Sequence, residues 1–424
     1  MFTSPAVVID NGSYTTKAGF ALEDLPSLVF SSNYQKHNDT VLVGENMQPE
    51  HEVMTLIDNG LIYDFENIIH NWEHVYKHID NLSPIDAKEY PLVLTEQSWN
   101  TSKNKLATAQ LVFENLQVPI FSLVKNPLAQ LYRVGKLTGL VIDIGSSVAS
   151  VTPILDGIIQ TKSSFHLKYA GDFLNLHVLN YVQSKTTLES LLPSQFQNAT
   201  DSFKHHYTSH HFLQEYKNLT LNFQLSDYQL YNHQHISLAD QPSYLENLFQ
   251  PNLNKLPNVT IPEPVVDKPH THGLTNLIFL CLKSLEGTLL PNDGSAGSGS
   301  HNKFARFNEI FKGLLSNVLI TGGTSLANGL IDQVLNDLRI LTPKYFPNYS
   351  YSPYSITQIS NLSPASDINE VWDKQFSGWL GACSLASMLN DGNQDSLNIA
   401  LDNWFVTKSD YEELGEDLIL EKFK

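Results

Sequence analysis

An α/β fold built on an internal duplication is predicted by three observations. Residues 7–13 read Val-Val-Ile-Asp-Asn-Gly-Ser and residues 140–146 read Leu-Val-Ile-Asp-Ile-Gly-Ser, two apolar strands that end in the same Asp-x-Gly-Ser turn. A third apolar run, residues 317–325, ends in Gly-Gly-Thr-Ser. Between these runs lie stretches of helical periodicity, and strands alternating with helices define the α/β class.

In chain order, each Asp-x-Gly-Ser copy is followed by a second β-rich stretch, residues 14–20 and 148–154, so each copy reads as a hairpin with a tight turn. Residues 65–79 place Ile68, Trp72, Val75, Tyr76 and Ile79 at helical spacing. Residues 91–95 read as a buried strand, and Leu123 to Tyr132 as a helix opening near Pro127. The third glycine turn leads into a helical pattern through Leu330, Ile331, Val334 and Leu338. Residues 185–270 are rich in Asn, Gln, His and Ser, with helical patterning over 203–222. Residues about 290–303 form a flexible surface loop by composition. Residues 404–424 form an acidic, helix-rich end whose helix starts at an N-cap within 407–410.

At 424 residues the chain has room for two or three domain-sized units. Forty-four acids against 26 bases give a net charge of −18, which repels phosphate backbones and argues against direct nucleic-acid binding. That charge fits either a plain solvated surface or a preference for basic partners. The two cysteines, Cys281 and Cys383, are too few for a disulfide framework or a four-ligand metal site. Their apolar surroundings predict buried thiols in a reducing compartment. No signal-peptide pattern and no membrane-spanning run is present, so no membrane association is expected. His205, His206, His210 and His211 have spacings that a helix gathers toward one face. Without a Cys or acid pattern beside them they read as a solvated insert, not a metal site, as do His233/His235 and His270/His272.

The turns carry chemistry. An Asp at a strand end followed by a Gly-Ser turn lets backbone amides approach anionic oxygens, while the carboxylate orders the water shell of a hard cation. Two such turns facing each other clamp a polyphosphate, with Lys17 supplying a positive charge. The candidates are Asp10, Asn11, Gly12, Ser13 and Lys17 in the first copy, and Asp143, Gly145 and Ser146 in the second. Gly322, Gly323, Thr324 and Ser325 form the third turn. Asp10 and Asp143 are the candidates to hold Mg²⁺ through water. No Walker lysine loop and no His-Glu-x-x-His occurs.

At these residues the chain resembles actin and its relatives. Asp10-Asn11-Gly12-Ser13 with residues 17–20 is similar to the first phosphate loop, and Asp143-Ile144-Gly145 with residues 151–154 to the second. Gly322 to Ser325 matches the loop at the nucleotide's purine side; residues 248–251, 379–381 and 404–413 also follow the family in order. The resemblance implies an actin-like ATPase fold, two ribonuclease-H-like halves around a central nucleotide cleft, with ATP and Mg²⁺ as cofactors. It divides the chain into a small domain, residues 1–125 plus 377–424, and a large domain, residues 126–376, with a divergent middle at about 180–270.

Departures from the family pattern weaken the enzyme. By alignment, Ser146 replaces an acid, Asn126 the water-positioning glutamine, and Ser150 a histidine. Ala327 and Gln375 replace a tyrosine and a lysine on the purine side, and Tyr14 stands where a glycine is usual and could crowd the phosphates. Misplacing an attacking water by about 1 Å costs on the order of a hundredfold in rate, so no efficient hydrolysis is expected. Only twelve residues separate Phe30 from Val43, where actin has the longer loop that grips the next subunit, so no filament is expected.

The blocks at 8–34, 122–178, 379 and 404 are most similar to the fungal number-seven class of actin-related proteins. That implies a nuclear subunit of SWI/SNF- and RSC-type chromatin remodellers, paired with the number-nine actin-related protein on the helicase/SANT-associated helix of a Snf-type ATPase. Family alignment puts Tyr132, Ile158, Leu385 and Met388 at the partner-helix groove; ordinary core is the alternative for these four. A dynactin-type cytoskeletal subunit and a slow ATPase or small-molecule kinase are the rival functions.

Overall fold

The computed structural model describes residues 4–424 except 39, 45–46, 81, 220–226, 238–242, 258, 291–299, 350–358 and 363–369. Its main strands are β1 (Val7–Asn11), β2 (Thr15–Phe20), β3 (Leu28–Ser31), β4 (Leu92–Glu96), β5 (Ile120–Lys125), β6 (Gly139–Ile144), β7 (Ala149–Leu155), β8 (Ile158–Ile159), β9 (Phe165–Leu167), β10 (Val318–Thr321) and β11 (Val406–Thr407). The helices that matter here are α1 (Ile68–His78), α2 (Asn126–Arg133), α3 (Gly171–Lys185), α4 (Leu274–Leu289), α5 (Leu330–Tyr345), α6 (Ser377–Ala386) and α7 (Lys408–Lys422).

The duplication seen in the sequence is present in the sheets. A first lobe is built on six strands in the order β11-β5-β4-β1-β2-β3. A second is built on β8-β7-β6-β10, with β9 also beside β7. In each, a hairpin is flanked by a parallel neighbour: β1 pairs antiparallel with β2 and parallel with β4, as β6 does with β7 and β10. The registers match too, with Asp10 opposite Lys17 and Asp143 opposite Ser150, each seven residues on.

Burial on both faces explains the unbroken apolar runs. On β1, Val7 and Ile9 pack on the side covered by Trp72 and Val75 of α1, while Val8 packs against α6. Trp379 of α6 is fully buried there and donates its indole N–H to the Val8 carbonyl at 3.1 Å. In the second lobe, Leu140, Ile142 and Ile144 face a core made with Val178 of α3, Ile278 and Cys281 of α4, and Val334 and Leu338 of α5. Cys281 and Cys383 are both buried free thiols.

The helix predicted from Leu123 starts instead at Asn126; Ile120–Lys125 is a strand parallel to β4, and Pro127 sits in the first turn of α2. A short apolar run buried on both faces carries no period that separates strand from helix. In the Asn- and His-rich middle, helix Asp201–Tyr207 passes through a π-helical turn, Thr208–Phe212, into helix Leu213–Lys217. The end of the predicted 203–222 helix lies outside the described residues, as does the Gly/Ser-rich loop up to 299; from Ser300 the chain is helical. Thr407 caps α7, its hydroxyl accepting the Asp410 amide at 3.1 Å. Among the described residues no helix is long and apolar enough to cross a membrane.

Candidate functional site

The two Asp-x-Gly-Ser turns face each other closely enough to touch, with the hydroxyls of Ser13 and Ser147 2.6 Å apart. Around them opens a cavity of about 560 Å³, within the roughly 300–1,000 Å³ usual for small-molecule sites. Both hairpin turns, the Gly322–Thr324 turn, the start of α3 and helix Leu213–Lys217 contribute walls.

Acidic groups at its base are held from several sides. The Thr95 hydroxyl donates to Asp10 Oδ1 at 2.6 Å, and Lys17 Nζ lies 3.6 Å from Asp10 Oδ2. Gln130 Nε2 donates to Asp143 Oδ2 at 3.0 Å. Burial raises the Asp143 carboxyl above the ordinary range; the Gln130 amide opposes this, the Asp10 charge adds to it, and Lys17 lowers it again. Gly322 is required beside it: with φ +92°, a Cβ there would lie 2.4 Å from Asp143 Oδ1.

Asn126 and Gln130 lie four residues apart on α2, so both face the cavity. Both are more than nine-tenths buried, and neither Asn126 Oδ1 nor Gln130 Oε1 has a hydrogen-bond partner. Buried carbonyls without donors are costly, which suits them to a water shell or an ion. With Asp10 and Asp143 they make an all-oxygen acceptor set that fits hydrated Mg²⁺. Among the described residues no three His, Cys, Asp or Glu side chains gather as direct metal ligands. Lys17 and the turn amides provide the complementary donors for phosphate oxygens.

Of the predicted nucleotide residues, Asp10, Asn11, Gly12, Ser13, Lys17, Asp143, Gly145, Ser146, Gly322, Gly323 and Thr324 line the cavity. Ser325 does not: it is buried and its hydroxyl donates to the Gly322 carbonyl at 2.7 Å, bracing the turn. The Asn11 side chain points into support, bonded to Thr16, Asn71 and Trp72. Thr324 donates to the Gly145 carbonyl at 2.7 Å, tying the third turn to the second.

Ser146, standing where the family has an acid, donates its hydroxyl to Asp172 at 2.6 Å. Restoring the acid therefore places two carboxylates together. Ser146→Asp is expected to lower stability by about 1–3 kcal/mol at pH 7. Urea unfolding checks this, with the loss shrinking toward pH 4; an unchanged midpoint at both pH values contradicts the Ser146–Asp172 contact.

The sequence reading missed Gln130, although its i, i+4 spacing from Asn126 was a usable signal. It also missed Trp99, Gln214, Lys217 and Lys374, all on the cavity wall. Burial pushes the Lys217 ammonium down to about 8, with Asp172 opposing. Nothing local in the sequence marks these positions, because distant elements bring them in. Tyr14, expected to crowd the phosphates, is stacked flat on His210 of the other lobe, 4.0 Å between ring centroids. That corrects the solvated reading of the histidines: His205 and His211 are exposed, whereas His206 and His210 turn inward. Of the groove candidates, Leu385 is buried in the core around α6 with Met388 at its margin, Ile158 is exposed, and Tyr132 is half-buried.

Paired hairpins on duplicated sheets, closing over a ligand-sized cavity, define a two-lobed clamp protein. The sequence model of the Actin family matches residues 2–285 and 305–424, and the chain belongs to that family, with its fold. It is 27% identical to Actin-related protein 4 of Yarrowia lipolytica over 98% of this chain and 95% of that one. It is 27% identical to Actin-related protein 7 of Saccharomyces cerevisiae, over 97% and 96% of the two chains. With the SWI/SNF and RSC complexes subunit arp42 of Schizosaccharomyces pombe it shares 28% identity over 98% and 97%.

Proposed function

We propose that the chain is a non-polymerising actin-related subunit of a nuclear ATP-dependent chromatin-remodelling complex and contributes to transcription regulation. It binds the helicase/SANT-associated helix of the motor ATPase together with a second actin-related protein of the number-nine class. Near full-length similarity to a protein named as a SWI/SNF and RSC subunit carries this reading. The acidic surface and the short 31–42 segment support it, the second because the head-to-tail filament contact lacks one half. The cavity would hold ATP with Mg²⁺. Lys17, the Ser13 hydroxyl and the turn amides would bind phosphate oxygens, while Asp10, Asp143, Asn126 and Gln130 would order the water around the ion. The ion would neutralise phosphate charge. Asn126, Ser146 and Ser150 leave the attacking water poorly oriented, so turnover is weak or absent.

Affinity purification of the tagged full chain from nuclear extract, followed by mass spectrometry, tests the assembly. Expected is a stoichiometric Snf-type ATPase with a second actin-related protein; a dynein-adaptor set without a remodeller ATPase overturns the proposal. ATP turnover at an actin-like rate, abolished by Asp10→Ala or Asp143→Ala, would establish the enzyme reading instead.

A further inference from the structure

One helical run carries both a wall of the cavity and a strap across its mouth. At its start, Thr200 gives its amide to the Pro49 carbonyl (2.9 Å) and its hydroxyl to the His51 carbonyl (3.0 Å), while Ser202 Oγ accepts the Val53 amide (2.8 Å). One turn on, the Asn33 amide nitrogen lies 3.0 Å from His206 Nδ1. One turn further, His210 stacks on Tyr14 with an 8° angle between planes, and its Nε2 is 3.3 Å from the Tyr14 carbonyl. Tyr14 returns a bond from its hydroxyl to the Ser209 carbonyl, 3.4 Å. All these partners belong to the first lobe. Past the π-helical turn Thr208–Phe212, the same run presents Gln214, Glu215 and Lys217 to the cavity. Such single π turns shift the face a helix presents and are frequent at functional sites.

We propose that this strap is an acid-released latch: neutral His206 holds residues 201–217 against Tyr14 and Asn33, and protonating it frees the run and opens the cavity mouth. Donation from the Asn33 amide needs a lone pair on His206 Nδ1, which a proton removes. The neighbouring titratable groups give the charged ring no support. His206 faces Asn33 from the first lobe, and His210 and His211 from its own run; among the described residues no carboxylate acts on it. Burial, with His211, lowers the His210 ring too, but there the Tyr14 and His206 carbonyls and Asp172 oppose the shift, support that His206 lacks. Burial, then His210 and His211, push the His206 ring down to about 3.

The sign follows from linkage. Between pH about 6.5, the value of a freed imidazole, and about 3, the open form binds a proton that the closed form excludes. Lowering the pH therefore favours opening, about tenfold at pH 5.5 and about thirtyfold at pH 5.0 relative to pH 7.5.

The test uses the ligand-free full chain labelled at Glu73→Cys and Asn232→Cys; the native thiols are buried. Electron–electron distances are measured from pH 7.5 to 5.0. Expected is a longer-distance population that grows with acidity, that keeps little of this pH dependence in His206→Phe, and that is already present at pH 7.5 in Tyr14→Ala. A single unchanging distance in the parent chain, or an equal response in His206→Phe, overturns the latch. If His206→Phe fails to fold by circular dichroism at pH 7.5, His206→Gln takes its place. Only the effect on ligand escape rests on the nucleotide reading: release of a fluorescent ATP analogue is expected to quicken about tenfold at pH 5.5. Should no analogue bind while the distances still respond, the nucleotide reading fails and the latch stands; release that stays constant while the mouth opens overturns the latch as a gate.

Discussion

Changing Gly381 to valine is expected to cost about 3 kcal/mol or more of stability, because the two helices that join the lobes meet backbone to backbone there. A Cβ at Gly381 of α6 would lie 2.2 Å from the Ala129 carbonyl oxygen of α2, and one at Gly378, a turn earlier, 2.2 Å from Asn126 Oδ1. Neither backbone can step aside without moving a sheet: α2 leaves directly from β5, and α6 carries the Trp379 indole bonded to β1. Guanidinium unfolding of the full chain reads the loss. The control is Gly287→Ala in α4, where a Cβ meets nothing within 4 Å; it is expected to gain up to about 1 kcal/mol. Equal stability of Gly381→Val and the parent chain would mean that α2 and α6 do not approach this closely.

Lys17→Met is expected to have the second large effect, on stability and on the cavity together. Its ammonium and the Asp10 carboxylate are about nine-tenths buried, and breaking such a pair from one side costs about 3–5 kcal/mol at pH 7. Asp143 loses a stabilising charge at the same time, so its carboxyl rises further. Because the Asp143 carboxyl is already raised and loses the Lys17 charge that opposed this, the loss shrinks as Asp143 takes up its proton, so the variant should recover toward the parent as the pH falls from 7 to 5. Urea midpoints at the two pH values measure it, and a pH-independent deficit would place Lys17 outside this ion cluster. Binding of a fluorescent ATP analogue is expected to fall at least tenfold.

How much was legible depends on how local each signal was. The Asp-x-Gly-Ser turns were readable because strand, acid and glycine are contiguous, and they define the fold and the cavity floor. Leu123 to Lys125 were misread because a strand buried on both faces has no period. Ser325 was assigned to the ligand because it sits in the right motif, yet a 3-10 turn rotates its hydroxyl onto Gly322. His206 and His210 looked solvated because their partners, Asn33 and Tyr14, lie more than 170 residues earlier. Gln130 sat in view, one helical turn from Asn126, but only the tertiary structure shows its amide on Asp143.

The bond from Trp379 to Val8 spans 371 positions, and the edge strand β11 joins its sheet later still. During synthesis at about 5–20 residues per second, the Val8 face of the first hairpin therefore waits about 20–75 s for its cover. Over that interval the nascent chain presents a bare apolar sheet surface to the cytosol, a target for chaperones and a seed for aggregation. Truncations that stop short of α6 should emerge insoluble even though both hairpins are complete.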